Sequence, residues 1–266
     1  MTKLNTVAMA TCLAALGWTV PAAQASLVAA YTFNDTLAPV ESGVPSLVAV
    51  NPSGLNSFQS ATVFTNTQET YHFDGTTTPS NQGGLQLDVS SLGITNNTYS
   101  VEMVLELTGS SGWRRLMDTL DRQSDAGLYI NPGNALEVFP TGGSSSPFTA
   151  NTFYDIFVTV DGSTATPTIA GYFSGIQQFT LQSTALNFTA NNTLGFFIDN
   201  VAAGGQGEWS SGNVALIKVF NTALTAAQVH DETADPFQNT TAPEPATWAL
   251  FAAGAAGLGW LRKRKA

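Results

Sequence analysis

The chain has 266 residues, of which 43% are hydrophobic and only 11% charged, with a formal charge of −10 and one cysteine. Such a length is long for one average domain and normal for a single large β-sandwich with targeting segments at its ends. The acid excess disfavours nucleic acid and anionic lipid as partners, and the lone Cys12 leaves no disulfide framework and no cysteine-ligated zinc.

In chain order, residues 1–25 read as a secretory signal peptide. Lys3 gives a short positive start, Val7 to Val20 is apolar, and Ala23-Gln24-Ala25 is a small-x-small site for signal peptidase. The apolar run falls short of the ~20 residues that spanning a bilayer takes, so cleavage is expected between Ala25 and Ser26. Cys12 leaves with the signal peptide, and thiol chemistry leaves with it. Between Ser26 and Ala242 only Arg114, Arg115, Arg122 and Lys218 are basic, against eighteen acids. That body carries a charge of about −14, a field that attracts cations.

Residues 26–235 are punctuated every 8 to 15 positions by Gly, Ser, Thr and Asn, the rhythm of an all-β sandwich. Strands are expected at Leu27–Phe33, Glu69–Phe73, Leu85–Asp88, Tyr99–Leu107, Gly127–Ile130, Ala135–Phe139, Phe153–Val160, Pro167–Phe173, Gln177–Leu181, Leu194–Ile198 and Val214–Phe220. In Tyr99–Leu107, Val101, Met103, Leu105 and Leu107 alternate with Glu102 and Glu106, which predicts one core face and one solvent face. One helix is expected after the last strand, capped by Thr225 with Gln228 completing a capping box and a body from Ala226 to His230.

Residues 236–245 form a helix-hostile linker ending in Pro243-Glu244-Pro245. Ala246 to Leu261 is uncharged and mostly apolar, with Trp248 and Trp260 near its ends, and Arg262-Lys263-Arg264-Lys265 follows. Interfacial tryptophans and a cationic stop retained on the cytoplasmic side are the marks of a transmembrane helix. Residues 246–266 are therefore expected to hold the chain in the inner membrane before processing.

This tail resembles the PEP-CTERM sorting signal of exosortase-bearing Gram-negative bacteria, with motif, hydrophobic helix and basic terminus in that family's order. The resemblance implies recognition by an exosortase, cleavage near the motif, and delivery to the cell surface or extracellular matrix. The body is similar to the LamG-like or concanavalin A-like jelly roll. The likeness rests on Leu27–Phe33, Phe73-Asp74-Gly75, Tyr99–Leu107, Phe153–Asp161, the Tyr172–Gly175 hairpin and the closing strand and helix. It implies a two-sheet jelly-roll sandwich with one short C-terminal helix. Ala215-Leu216 and Phe153-Tyr154 stand where that family often has Asp-Glu and Trp-His.

Three kinds of site are open to such a domain. Retaining glycan hydrolysis needs two carboxylates about 5 Å apart. Glu102 and Glu106 lie on one strand four positions apart, roughly 13 Å by rise. His72 and His230 do not sit in a hydrolase context, so no catalytic residue is assigned. A looser likeness to the pentraxins implies calcium at Asp125, Asp199 and Glu208 with Asn200 as a helper, in a site that would need six to eight oxygens. The other reading is solvated loop acids, as for Asp118 and Asp121. Trp113 and Trp209, the tryptophans of the body, lie in Gly/Ser-flanked loops. They stack on sugar rings or anchor the loops. The sequons at Asn34, Asn96 and Asn187 read as polar turns. The expected function is non-catalytic: a surface or biofilm-matrix module for adhesion or contact with extracellular polysaccharide. The alternatives are a divergent secreted glycan hydrolase and a purely structural matrix component.

Overall fold

The computed structural model describes residues 26–238 except 77, 110, 145–147 and 203–206. Among these residues fifteen strands and one α-helix follow in order, with a 3-10 turn at Pro79–Asn81: β1 Leu27–Tyr31, β2 Val48–Val50, β3 Ser57–Val63, β4 Asn66–Phe73, β5 Gly84–Asp88, β6 Tyr99–Leu107, β7 Arg114–Asp118, β8 Gly127–Ile130, β9 Leu136–Phe139, β10 Gly142–Gly143, β11 Tyr154–Asp161, β12 Thr168–Phe173, β13 Ile176–Gln182, β14 Thr193–Phe196, β15 Gly212–Phe220 and α1 Ala226–Ala234. The larger sheet runs β13-β12-β11-β6-β15-β4-β3, with β1 also on β15; the smaller runs β10-β9-β8-β7-β14-β5-β2. Every pairing is antiparallel, as the two-sheet jelly roll requires.

The core lies between the sheets. Val101, Met103, Leu105 and Leu107 of β6, its predicted core face, enter it with Ile156, Val158 and Val160 of β11. Phe73 of β4 stacks on Phe197, beyond β14, with centroids 4.0 Å apart and planes 7° off parallel, and so joins the two sheets. Each fully buried phenylalanine contributes about 1.5–3 kcal/mol.

The outer face of the larger sheet departs from expectation. Glu102, predicted to meet solvent, is fully buried, as is Lys218, its direct partner across β6 and β15. The reason is α1, which lies over this face and packs its Val229 against Phe157, Tyr172, Phe220 and Leu224. The helix begins where predicted and runs four residues beyond His230. The Thr225 side chain accepts from the Gln228 N–H, and Gln228 Oε1 accepts from the Thr225 N–H at 2.9 Å. Replacing Thr225 by alanine is expected to cost about 1 kcal/mol. The check is a fall in urea midpoint matched by faster amide exchange across Ala226–Ala234; unchanged exchange there defeats it.

β2, β3, β7 and β10 were not anticipated. Among the described residues no helix is long and apolar enough to cross a membrane. Ala25, the expected transmembrane stretch 246–266 with its basic stop Arg262, Lys263, Arg264 and Lys265, and Pro243-Glu244-Pro245 lie outside the described residues.

Candidate functional site

At one end of the sandwich the loop leaving β6 meets the loop entering β15. The Thr108 N–H donates to the Ser211 carbonyl at 2.8 Å, so strand pairing continues past Leu107. Arg114, 1% exposed, fixes the first loop. Its guanidinium donates to the Gly109 carbonyl at 3.2 Å, the Asn131 carbonyl at 3.1 Å and Asn134 Oδ1 at 2.8 Å.

A polar network fixes the second loop. Arg115 pairs with Asp118 at 2.5 Å, donates to the Tyr129 hydroxyl at 2.6 Å, and lies over the Tyr129 ring. The Tyr129 hydroxyl is 2.8 Å from Glu208 Oε2 and 2.8 Å from the Asp125 carbonyl. Desolvation, with Asp125 and Asp199 nearby, pushes the Glu208 carboxyl up to about 7. Asp118, expected as a solvated loop acid, is instead buried; desolvation raises its carboxyl while Arg115 opposes the rise.

The three acids that the pentraxin likeness singled out do converge. Asp199 accepts through Oδ1 from the Asn200 N–H at 2.7 Å and through Oδ2 from the N–H groups of Gly207 and Glu208, both at 3.1 Å. The Asn200 amide reaches Asp125 Oδ1 at 2.6 Å. These oxygens take N–H donors, which makes the cluster a lattice that holds loops together. Among the described residues no group of three or more His, Cys, Asp or Glu is arranged to hold a metal ion.

The two tryptophans divide. Trp113 is clasped edge-to-face by Tyr129 and Phe139 at 5.5 and 5.3 Å, the contacts of a loop anchor. Trp209 lies on Gly75 so closely that a Cβ there would sit 2.5 Å from the indole. It lines a groove of about 250 Å³ with Thr108, Gly109, Ser111, Ser210 and Ser211. An apolar face among hydroxyls and main-chain amides is suited to a ligand with both C–H faces and hydroxyls.

Sequence reasoning missed a second charged cluster, on the outer face of the larger sheet. Lys218 Nζ lies 3.1 Å from Glu102 Oε2 and 3.1 Å from Glu232 Oε2 of α1. Asp155, from β11, is also buried and acts on Glu102. Desolvation foremost, then the mutual charge of the carboxylates, holds Glu102 above the usual range; desolvation likewise raises Asp155. Two ionised carboxylates offer acceptors only, and a shared proton turns their contact into a hydrogen bond. Both carboxyls are buried on the face that α1 covers, where Glu232 of α1 reaches Lys218.

The chain's tail supplies the remaining finding. Residues 241–264 match the PEP-CTERM protein-sorting motif. The PEP-CTERM match makes this an exported protein. It begins a few residues beyond α1, so the sandwich is the body that the PEP-CTERM signal sorts. No curated protein matches the chain. Among solved structures, domain 4 of AbnA, a GH43 extracellular arabinanase from Geobacillus stearothermophilus in complex with arabinotriose, is similar at 16% identity and TM-score 0.55, over 79% of this chain and 99% of that one. The binding domain of botulinum neurotoxin DC, in complex with rat synaptotagmin II, is similar at 10% identity and TM-score 0.53, over 79% of this chain. A chain of botulinum neurotoxin type C, whose cell entry depends on interaction with two ganglioside molecules, is similar at 11% identity and TM-score 0.53. This chain spans about half the length of each neurotoxin chain, 51%. The likeness shows a shared β-sandwich jelly-roll fold.

Proposed function

We propose that this protein is a non-catalytic carbohydrate-binding module of the cell surface or extracellular matrix, presented there after sorting by an exosortase. The observation that carries the reading is the Trp209 groove. Its indole rests on Gly75, its walls carry hydroxyls, and both of its loops are fixed in advance by Arg114 and by the Arg115–Tyr129–Glu208 network. Fixing loops before binding lowers the ordering cost that a weak polar ligand must overcome. The shared fold with a domain seen in complex with arabinotriose supports the same reading. A hydrolase would need its carboxylates open to a substrate, and Glu102 and Asp155 are sealed beneath α1. A purely structural role would leave the preformed groove without an occupant.

Wild-type protein is expected to bind members of a glycan array, and Trp209→Ala to weaken that binding by at least about tenfold, the loss of an interface anchor. Its melting temperature should stay within about 2 °C of wild type, whereas Trp113→Ala should lower the melting temperature and leave the groove's chemistry in place. A wild-type protein silent on the array, or equal binding by Trp209→Ala, overturns the reading.

A further inference from the structure

We infer that the ligand is a linear oligosaccharide of several units, because a second groove, on the outer face of the larger sheet, has a lining residue two positions from one that lines the Trp209 groove. This rests on the carbohydrate reading above and extends it.

The second groove, of about 270 Å³, is lined by Thr62, Phe64, Glu106, Asn151, Thr152 and Phe153. Each groove alone falls below the roughly 300–1,000 Å³ of a well-formed ligand site, and the two together fall within it. Leu107 separates their nearest lining residues in sequence. Glu106, one residue before it, lines the second groove, and Thr108, one residue after it, lines the first. Alternate residues of a strand share a face and lie about 7 Å apart. The Leu107 carbonyl accepts from the Asn151 N–H at 2.8 Å, which fastens the far wall of the second groove to this junction.

The second groove is built rather than incidental. Glu106 stands at the end of a row of side chains from four adjacent strands. Asn213 Nδ2 donates to Glu106 Oε1 at 2.7 Å, while Asn213 Oδ1 accepts from Gln59 Nε2 at 2.6 Å and contacts His72 Nδ1 at 3.0 Å. With its amide held from two sides, Asn213 has one orientation available, and it fixes the Glu106 carboxylate in turn. Glu106 Oε2 is left to the groove, as an acceptor for hydroxyl donors. Beside it, Phe64 is 47% exposed with φ +54°, between β3 and β4. A bulky side chain in the left-handed region costs on the order of 1–3 kcal/mol, and such positions cluster at ligand clamps. Here that backbone sets an aromatic ring at the groove wall opposite Phe153. A carboxylate for hydroxyls beside an aromatic ring for a C–H face repeats the chemistry of the Trp209 groove next to it.

The test is calorimetric titration of the purified chain with arabino-oligosaccharides and cello-oligosaccharides of two to six units. In at least one of the two series, affinity is expected to rise at least tenfold between two and five units. Phe64→Ala and Glu106→Gln should each return the five-unit ligand to the affinity of the two-unit one, leaving the latter unchanged. Trp209→Ala should weaken every length. Binding that depends on Trp209 but neither grows with length nor responds to Phe64→Ala and Glu106→Gln overturns the extended site and leaves the single groove standing. Absence of binding in both series overturns the extended site and the carbohydrate reading together. Melting temperatures near wild type for both variants separate lost contacts from lost folding.

Discussion

Lys218→Met is expected to lower the stability of the fold at pH 7.5 by roughly 3–5 kcal/mol, the cost of removing one partner from a buried ion cluster. Lys218 is the sole cation set against Glu102, Asp155 and Glu232 in this contact, 3.1 Å from two of them. Methionine keeps much of the volume, so packing alone predicts a small effect. For a domain of this size the loss corresponds to a fall in melting temperature of about 10 °C. The penalty should shrink at pH 5, below the value of about 7 to which burial raises Asp155, and Lys218→Met with Glu102→Gln should recover much of it. A fall of less than about 2 °C for the single variant would defeat the account. It would mean that the outer-face carboxyls are already neutral at pH 7.5.

The second large effect is the pH dependence of the unaltered protein. Burial raises Glu102 and Asp155, and raises Glu208 to about 7. An acid whose folded value lies above its unfolded one binds more protons in the native state. Its stabilising contribution is therefore whole below the unfolded value and is lost as pH rises through the folded one. Asp155 and Glu208, each raised to about 7, act this way between about pH 4 and pH 7, by up to about 1.4 kcal/mol per pH unit, and Glu102 acts in the same direction. Self-repulsion of the acidic body grows over the same window and adds to the loss. Asp88, lowered by hydrogen bonds from Ser90, opposes them but lies exposed in solvent. Urea midpoints should fall from pH 5 to pH 8, and Glu208→Gln should flatten part of that slope. A midpoint that rises across this range is the contrary result.

Much of the sandwich was legible because its inner strands carry strong apolar runs or alternation. The strands that escaped notice lack that signal. β3, Ser57–Val63, is an edge strand with largely exposed residues. β7 reads as polar because Arg114, Arg115 and Asp118 bury their charges only by satisfying each other and the neighbouring loops. β2 and β10 are three and two residues long. Glu102 misled for a related reason. Its partner Lys218 lies far along the chain, and only the register of β6 against β15 sets them face to face.

The sites show the same division. The sorting motif at 241–264 is local and was read directly from its residues. The convergence of Asp125, Asp199 and Glu208 followed from family likeness, but their hydrogen bonding to loop amides depends on backbone that no residue pattern prints. Trp113 and Trp209 look alike in sequence, and only Tyr129, Phe139 and Gly75 tell anchor from groove wall. The row from Gln59 to Glu106 is drawn from four strands. The one local clue was His72, a strand histidine with no catalytic context.

A pull applied at the C-terminal side of the sandwich follows a path set by β15. Force entering after Gln238 passes Phe237, seated beside Phe153 and Leu216, and then α1, before it reaches β15. That strand is zipped to β6 through eight registered pairs on one edge and to β4 and β1 on the other. Drawing it out breaks pairing on both of its edges, whereas a marginal strand such as β3 or β13 is held along one.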